Sequence, residues 1–353
     1  MAYYAIAILA SIFLLGAALF RNSPAERLSV SIVALLYVVG LAIFAGFRSP
    51  DIAPDYLNYV SWLKSIQENN LFFDEMKDPL FVGTYLVIND LGFSDTSFFF
   101  LIALLSLGFK YLFSKFVFDN KYVLMILFLI LSRFYIPHDF IQVRVGLAIG
   151  LASCGLILFF KGRRFLGSLL YLIGLGFHLS VSIFIPVFFM LILNLQLKSR
   201  LVLSALIISS FMLSFVLPNA INIFANVERV TPYLNGGYAT TATPLFSFYF
   251  MSRFFLIVLI ITVYLERLSA VEKFVTLMSI LGLCIQIMLS WNDAFSLRFA
   301  ELFGFFDMAM FCMMYRFFDS KSKLIYSLGL MIMSFIYYYS SLKLVSEYAI
   351  STI

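Results

Sequence analysis

Long apolar runs recur along the whole chain and constrain its fold more than any other feature. Hydrophobic residues make up 63% of the 353 residues and charged residues only 12%, whereas a soluble domain carries roughly 25% charged residues. A helix needs about 20 apolar residues to cross a bilayer, and most of the runs approach that length. The sequence therefore predicts an all-α, polytopic integral membrane helical bundle.

We expect about 12 transmembrane helices in a single membrane domain over residues 1–353, and a first helix that is retained rather than cleaved. One further run, near 79–92, is too short for a full crossing, and we interpret it as a re-entrant or interfacial segment. The predicted spans are 2–20, 28–47, 96–118, 121–137, 141–160, 165–178, 180–197, 201–217, 245–265, 271–290, 298–318 and 322–345.

Basic residues set the expected orientation, because cytoplasmic loops are enriched in Lys and Arg. With the basic cluster Lys161, Arg163 and Arg164 placed in the cytoplasm, most of the 24 Lys and Arg residues fall on that side. Two sizeable outer loops result, at about 48–95 and 218–244. The net charge of +5 comes from basic residues spread over short loops, as membrane orientation requires. It therefore gives no indication of nucleic-acid binding.

Arginines lie at the outer boundary of the predicted spans, where ionisable groups are costly and usually functional. Arg suits phosphate because its planar fork donates several hydrogen bonds and stays charged. Contact with lipid headgroups is the alternative, but Lys would serve that purpose equally well and is absent from these positions. The arginines are Arg48, Arg133, Arg144, Arg253 and Arg298.

Acidic residues and one histidine are candidates for proton transfer or sugar binding. His178 lies at a turn, where a neutral imidazole either accepts a proton from a sugar hydroxyl or simply stabilises the turn. Asp51 and Asp55 stand just before the start of a helix. They either act as a base and sugar ligands, or they belong to a solvated loop in which Asp55 is the N-cap of the helix. Glu301 follows Arg298 by three positions on one helix, so the two also have the spacing of an ion pair.

The stretch from Gln142 to Pro186 connects two of these candidates. Arg144 begins one apolar run, and His178 ends the next, with the basic cluster between them. If that cluster is cytoplasmic, both side chains reach the outer face together.

Two other groups of polar residues have less specific interpretations. We expect His138 and Asp139, which follow a proline, in an outer loop. Asp307 is a membrane-embedded carboxylate that should bond to a neighbouring helix, with Gln286 as one candidate partner. The chain has no phosphate-binding loop and no metal-ligand spacing, so we expect neither a cofactor nor a metal.

Short motifs follow one another in an order that covers most of the chain: Gly46-Phe47-Arg48 with Asp51 and Asp55-Tyr56, Asp78-Pro79-Leu80-Phe81, Gln142-Val143-Arg144 with Gly146-Leu147-Ala148, Phe177-His178-Leu179-Ser180, and Ser296-Leu297-Arg298-Phe299-Ala300-Glu301. Together these motifs resemble those of the EpsG/Wzy type of bacterial polysaccharide polymerase. Two details differ from the commoner pattern of that type, because Asp78 stands where Glu is usual and Gln142 precedes Arg144 instead of following it.

The resemblance implies a multi-pass enzyme of the bacterial inner membrane that joins undecaprenyl-pyrophosphate-linked oligosaccharide repeats at the periplasmic face. Expected partners are the lipid-linked glycan, membrane lipids, a chain-length regulator and a flippase. We assign catalytic roles to His178, Asp55 and Arg144. Substrate contacts are assigned to Arg48, Asp51, Arg144, Arg253, Arg298 and Glu301.

Three other functions remain open. A glycosyltransferase that uses polyprenyl-phosphate sugars would also place acidic residues in its first outer loop. An O-antigen ligase would share the Arg and His chemistry. A flippase or transporter would carry polar groups through the whole depth of the membrane, whereas the arginines here stay at one face.

Overall fold

The part of the chain that the structure describes is mostly helical. The computed structural model describes residues 2–4, 7, 24–69, 77–195, 199–220, 242–243 and 245–346, without the side chains of 24–29 and 219–220. Most of the predicted first span and most of the predicted outer loop at 218–244 lie outside these residues. The described α-helices are α1 Pro24–Gly46, α2 Tyr56–Glu68, α3 Pro79–Asp90, α4 Asp95–Val117, α5 Val123–Phe134, α6 Val143–Phe160, α7 Arg164–Phe177, α8 Ile185–Ile192, α9 Arg200–Ala220, α10 Phe248–Leu259, α11 Ala270–Met288, α12 Asp293–Glu301, α13 Gly304–Met313 and α14 Ser320–Leu342.

Apolar helices long enough to cross a membrane confirm the predicted fold class. Within the described residues there are seven of them, Asp95–Val117, Val123–Ile141, Val143–Phe160, Arg200–Pro218, Phe248–Arg267, Ala270–Met288 and Ser320–Leu342. Shorter apolar helices cover Val30–Gly46, Arg164–Phe177 and Leu179–Ile192. The protein is therefore an all-helical, multi-pass membrane protein, and the number of about 12 spans stays a prediction.

Two compact units divide the chain: residues 1–188 with 315–353, and residues 189–314. We describe each unit by itself, and the expectation of a single membrane domain remains a prediction.

Helix α6 is the central helix of the first unit. Most of its residues are buried, and it packs against α4 on one side and α7 on the other. Gly155 of α6 and Gly167 of α7 allow a very close approach, since a Cβ atom built on either would lie 2.7 Å from the other's carbonyl oxygen. The α6–α7 hairpin is thus held by direct backbone contact, which fixes the positions of its two far ends.

Helices α2 and α3 lie within the predicted outer loop at 48–95, and α3 is too short to span a membrane. Its 12 residues extend about 18 Å, against roughly 30 Å of hydrocarbon. It packs along α7, where Leu80 Cδ1 lies 2.6 Å from the position of a Cβ atom built on Gly176. Helix α2 forms because Tyr56, Tyr59 and Leu63 recur at helical spacing and face the interior.

His138 and Asp139 correct an expectation, because they are buried within a helix and not in an outer loop. Helix α5 continues as a π-helical segment, Tyr135–Ile141, whose side chains are all buried. Asp139 forms a fully buried ion pair there with Lys110 of α4. The expectation of a loop rests on Pro137, which lacks an N–H, but this proline lies inside the π-helical segment.

Helix α11 is the centre of the second unit and packs on α9, α10, α12 and α13. The predicted span 298–318 is wrong as a single helix, since α12 ends at Glu301 and α13 begins at Gly304. Phe303, at the break, packs against α11 where Gly282 leaves room: a Cβ atom built on that glycine would lie 2.7 Å from Phe303 Cβ. Tertiary packing therefore interrupts a run that is continuous in hydropathy.

Candidate functional site

Three helix ends of the first unit meet at the carboxylate of Asp78. Asp78 is the residue before α3, Arg144 lies in the first turn of α6, and His178 immediately follows α7. Arg144 Nη1 donates a hydrogen bond to Asp78 Oδ2, forming an ion pair. His178 Nδ1 lies 3.1 Å from each oxygen of the same carboxylate. The α6–α7 hairpin thus brings Arg144 and His178 together, as its sequence predicts, and Asp78 joins them.

Asp78 has an unusual backbone conformation. Its φ of 54° and ψ of 58° place it in the left-handed region, which costs a non-glycine residue about 1–2 kcal/mol. Pro79 disfavours the right-handed helical region for the residue before it, and the Asp78 carbonyl accepts hydrogen bonds from Phe81 and Val82. Strain of this kind persists where the surroundings impose it, and it is concentrated at functional sites.

The carboxylate of Asp78 is buried, yet its neighbours favour the ionised form. Its side chain is 3% exposed, compared with 15% for Arg144 and 23% for His178. Burial raises the pKa of Asp78, but the hydrogen bond from His178 and the charge of Arg144 outweigh burial and lower the pKa below its ordinary value of 3.8. The lowered pKa favours the ionised carboxylate, which lies between a guanidinium and an imidazole.

Aromatic rings surround the guanidinium of Arg144. Its Cζ lies 4.9 Å from the ring centroid of Tyr59, 5.1 Å from that of Trp62 and 5.9 Å from that of Phe81. Such contacts stabilise a cation by about 0.5–1 kcal/mol or more when it is shielded from water. Lys77 Nζ lies 5.6 Å from the Trp62 centroid, so two cations share one indole ring.

Asp55 lies one turn before Tyr59, at the start of α2. It is half-buried, and its side chain makes no capping hydrogen bond to the helix. Burial and the charge of Asp55 raise the pKa of the Tyr59 hydroxyl, whereas the charge of Arg144 lowers it; the net effect is a raised pKa. Asp51 is exposed in a short 3-10 turn. Their predicted roles as base and sugar ligand stay predictions.

Arg48 occupies a different place from the one expected for a phosphate ligand. It is fully buried, donates hydrogen bonds to the carbonyl oxygens of Ala45 and Phe140, the latter at 2.7 Å, and lies 5.1 Å from the ring centroid of Tyr56. These contacts tie the end of α1 to the π-helical segment and α2. These hydrogen bonds give Arg48 a structural role. Its role in substrate binding stays a prediction.

Arg253 is also fully buried, within a polar network of the second unit. Its Nη1 lies 2.8 Å from Asp307 Oδ2 and 3.2 Å from Tyr249 Oη, and its Nη2 lies 2.5 Å from Gln286 Oε1. The predicted partner of Asp307 therefore changes, because its ion pair is with Arg253, and Gln286 binds the arginine instead. The substrate role of Arg253 stays a prediction.

Arg298 and Glu301 lie on α12, as the sequence indicates, with Arg298 exposed and Glu301 half-buried. Their predicted substrate contacts stay predictions. No cluster of three or more His, Cys, Asp or Glu side chains suited to a metal ion occurs within the described ranges.

The site predicted from the sequence does not include Asp78, Trp62 and Lys77. Asp78 belongs to one of the sequence motifs, and an acidic residue directly before a proline that opens a helix is a recognisable signal. Trp62 and Lys77 carry no such signal, because their proximity to Arg144 arises from the packing of α2, α3 and α6.

The fold and the site together define a class of protein. It is a helical, multi-pass membrane protein in which an aspartate contacts both an arginine and a histidine at helix ends. Within that class, the chain belongs to the EpsG family, whose family model matches residues 31–351. This confirms the resemblance seen in the sequence motifs. No curated protein and no solved structure matches the chain. The EpsG family is associated with polysaccharide polymerisation by glycosyl transfer.

Proposed function

We propose that this protein joins undecaprenyl-pyrophosphate-linked oligosaccharide repeats into O-antigen or a related surface polysaccharide, at the periplasmic face of the bacterial inner membrane. The observation that carries the proposal is the Asp78 carboxylate bridging His178 and Arg144. A base and a cation side by side are what a glycosyl transfer with a pyrophosphate leaving group requires.

His178 is the general base in this proposal. With Nδ1–H donating to Asp78, the neutral ring keeps a lone pair on Nε2, and the carboxylate stabilises the imidazolium that forms. Asp55 is the other candidate from the sequence, and for His178 the Asp78 carboxylate gives the imidazole ring a defined orientation. The geometry therefore favours His178.

The reaction is a single displacement at the anomeric carbon of the growing chain. The hydroxyl at the non-reducing end of a new repeat attacks that carbon, and its proton passes to His178 Nε2. The bond from the anomeric carbon to the pyrophosphate oxygen breaks, and that oxygen takes the electron pair. Arg144 stabilises the developing negative charge without a metal. Attack without a covalent intermediate inverts the anomeric centre.

The periplasmic placement rests on charge distribution. Lys161, Arg163 and Arg164 lie at the opposite end of the α6–α7 hairpin from Arg144 and His178. Helix α6 is about 27 Å long, close to the thickness of the hydrocarbon core. A cytoplasmic basic cluster puts the polar site at the outer face, in keeping with the expected topology of about 12 spans.

The test is a deletion strain complemented with single variants, and its surface polysaccharide is resolved by gel. We expect wild type to restore long chains and Arg144→Ala to leave only single capped repeats. Arg163→Ala is the matched control, because this exposed arginine lies at the other end of the hairpin. Long chains with Arg144→Ala at a normal protein level would contradict the proposal.

The deletion strain also separates the other functions. Single repeats on the surface support a polymerase. Long chains retained on the lipid carrier identify a ligase, and a surface without repeats points to a flippase or to a transferase that acts earlier.

A further inference from the structure

Lys77 is a second cation at the site, and the proposed reaction has not used it. Its ammonium lies 5.6 Å from the Trp62 ring centroid, and the Arg144 guanidinium lies 5.1 Å from the same centroid. Lys77 is exposed, whereas the Asp78 carboxylate beside it is buried. The ammonium is therefore accessible to a ligand from the aqueous side.

The charges of Arg144 and Lys77 both act on one carboxylate, that of Asp78. The Asp78 carboxylate offsets one positive charge through its ion pair with Arg144. A neutral His178, as the base requires, adds no charge. Lys77 is close enough for its charge to favour the ionised form of Asp78, so two cations lie near one carboxylate.

A diphosphate needs more than Arg144 can supply. The linkage in a lipid-linked donor carries two phosphoryl groups, each with a negative charge at neutral pH. Arg144 already shares its guanidinium with Asp78, so it is suited to one phosphoryl group. An ammonium on a flexible stem complements a planar guanidinium, because it reaches oxygens that the fork does not.

We propose that Lys77 and Arg144, brought together on the indole ring of Trp62, form a two-cation site for the diphosphate group of the lipid-linked donor. This inference rests on the proposed function and deepens it. Lys77 rests on the ring in the absence of ligand, and it transfers to a phosphate oxygen when the donor binds. A cation–π contact at an exposed position is weak enough to permit that exchange.

Trp62 provides a direct measure of binding. The chain has two tryptophans, Trp62 and Trp291, so Trp291→Phe leaves Trp62 as the single tryptophan, which is excited selectively at wavelengths that tyrosine does not absorb. In this background we would titrate purified protein in detergent with undecaprenyl pyrophosphate and, separately, with undecaprenyl monophosphate. We expect the diphosphate lipid to bind about tenfold more tightly, as one additional charge-assisted contact implies.

Substitution of Lys77 measures its contribution to the preference for the diphosphate lipid. Lys77→Gln should remove most of the tenfold preference, and Lys77→Arg should keep it. Lys64→Gln is the matched control: Lys64 is on the same helix as Trp62, but it pairs with Asp95 at 3.1 Å and should keep the preference. The ratio of the two affinities in one preparation does not depend on how much protein is folded.

Each outcome decides a separate point. An unchanged preference in Lys77→Gln, or an equal loss of affinity for both lipids, would overturn the role of Lys77 and leave the proposed function intact. If the Trp291→Phe protein itself binds the diphosphate lipid no better than the monophosphate lipid, the diphosphate donor in the proposed function is wrong as well.

Discussion

His178 Nδ1 lies 3.1 Å from both carboxylate oxygens of Asp78, although the two residues are 100 positions apart in the chain. The contact holds the imidazole by one nitrogen and directs the other away from the carboxylate. The proposed base therefore depends on Asp78 for its orientation and its tautomer.

Asp78→Asn should slow polymerisation by about 10²-fold or more, because the amide neither stabilises an imidazolium nor selects the required tautomer. Asp78→Glu should retain much of the rate, since Glu is usual at this position in proteins that the sequence resembles. The measurement is the initial rate of glycan extension by purified protein. Asp90→Asn, at an exposed position at the end of α3, is the control. A normal rate in Asp78→Asn would exclude the orienting role.

The ion pair of Asp78 should also affect stability with a defined pH dependence. In the folded protein the pKa of Asp78 is below its ordinary value of 3.8. The ionised carboxylate therefore stabilises the fold fully above that pH, and this stabilisation is lost as the pH falls through the folded pKa. Wild type should unfold at a higher temperature than Asp78→Asn from neutral pH to about pH 4, and the difference should shrink in more acidic solution. A difference that already disappears near pH 6 would contradict this assignment.

The buried pair of Arg253 and Asp307 should be structural. Asp307→Ala leaves a buried guanidinium without its counter-ion and should destabilise the second unit by about 3–5 kcal/mol. The double variant Arg253→Met with Asp307→Leu should recover most of that loss. Thermal unfolding in detergent measures both changes.

Polymerisation by the double variant then tests the substrate role assigned to Arg253 from the sequence. Long chains would show that Arg253 is not needed for binding. A stable double variant that makes only single repeats would support the substrate role instead.

Close packing between α1 and α4 gives a prediction about Gly46. A Cβ atom there would lie 2.5 Å from Phe100 Cα, so Gly46→Ala must displace backbone and should cost about 1–3 kcal/mol of stability. Gly40 lies on the same helix with nothing within 4 Å of its Cβ position. Gly40→Ala should be neutral or stabilising by up to about 1 kcal/mol. Equal unfolding temperatures for the two variants would contradict the packing.

The sequence was sufficient to predict the helical membrane fold and the convergence of Arg144 with His178. Both depend on local signals, namely apolar length and a basic cluster between two runs. It was not sufficient for Asp78, which meets its partners only through the packing of α3 on α7. The same limitation explains Arg48 and Arg253, because their positions near span ends did not reveal the aromatic and carboxylate partners that bury them.

The most direct test of the central claim uses purified protein in vesicles whose only glycan is an undecaprenyl-pyrophosphate-linked repeat, with a metal chelator present. Glycan length and released undecaprenyl pyrophosphate are measured together. We predict products of two or more repeats, one undecaprenyl pyrophosphate released for each new linkage, and neither product with His178→Gln. Wild-type protein that yields only single repeats, or linkages without release of the diphosphate lipid, would contradict the account.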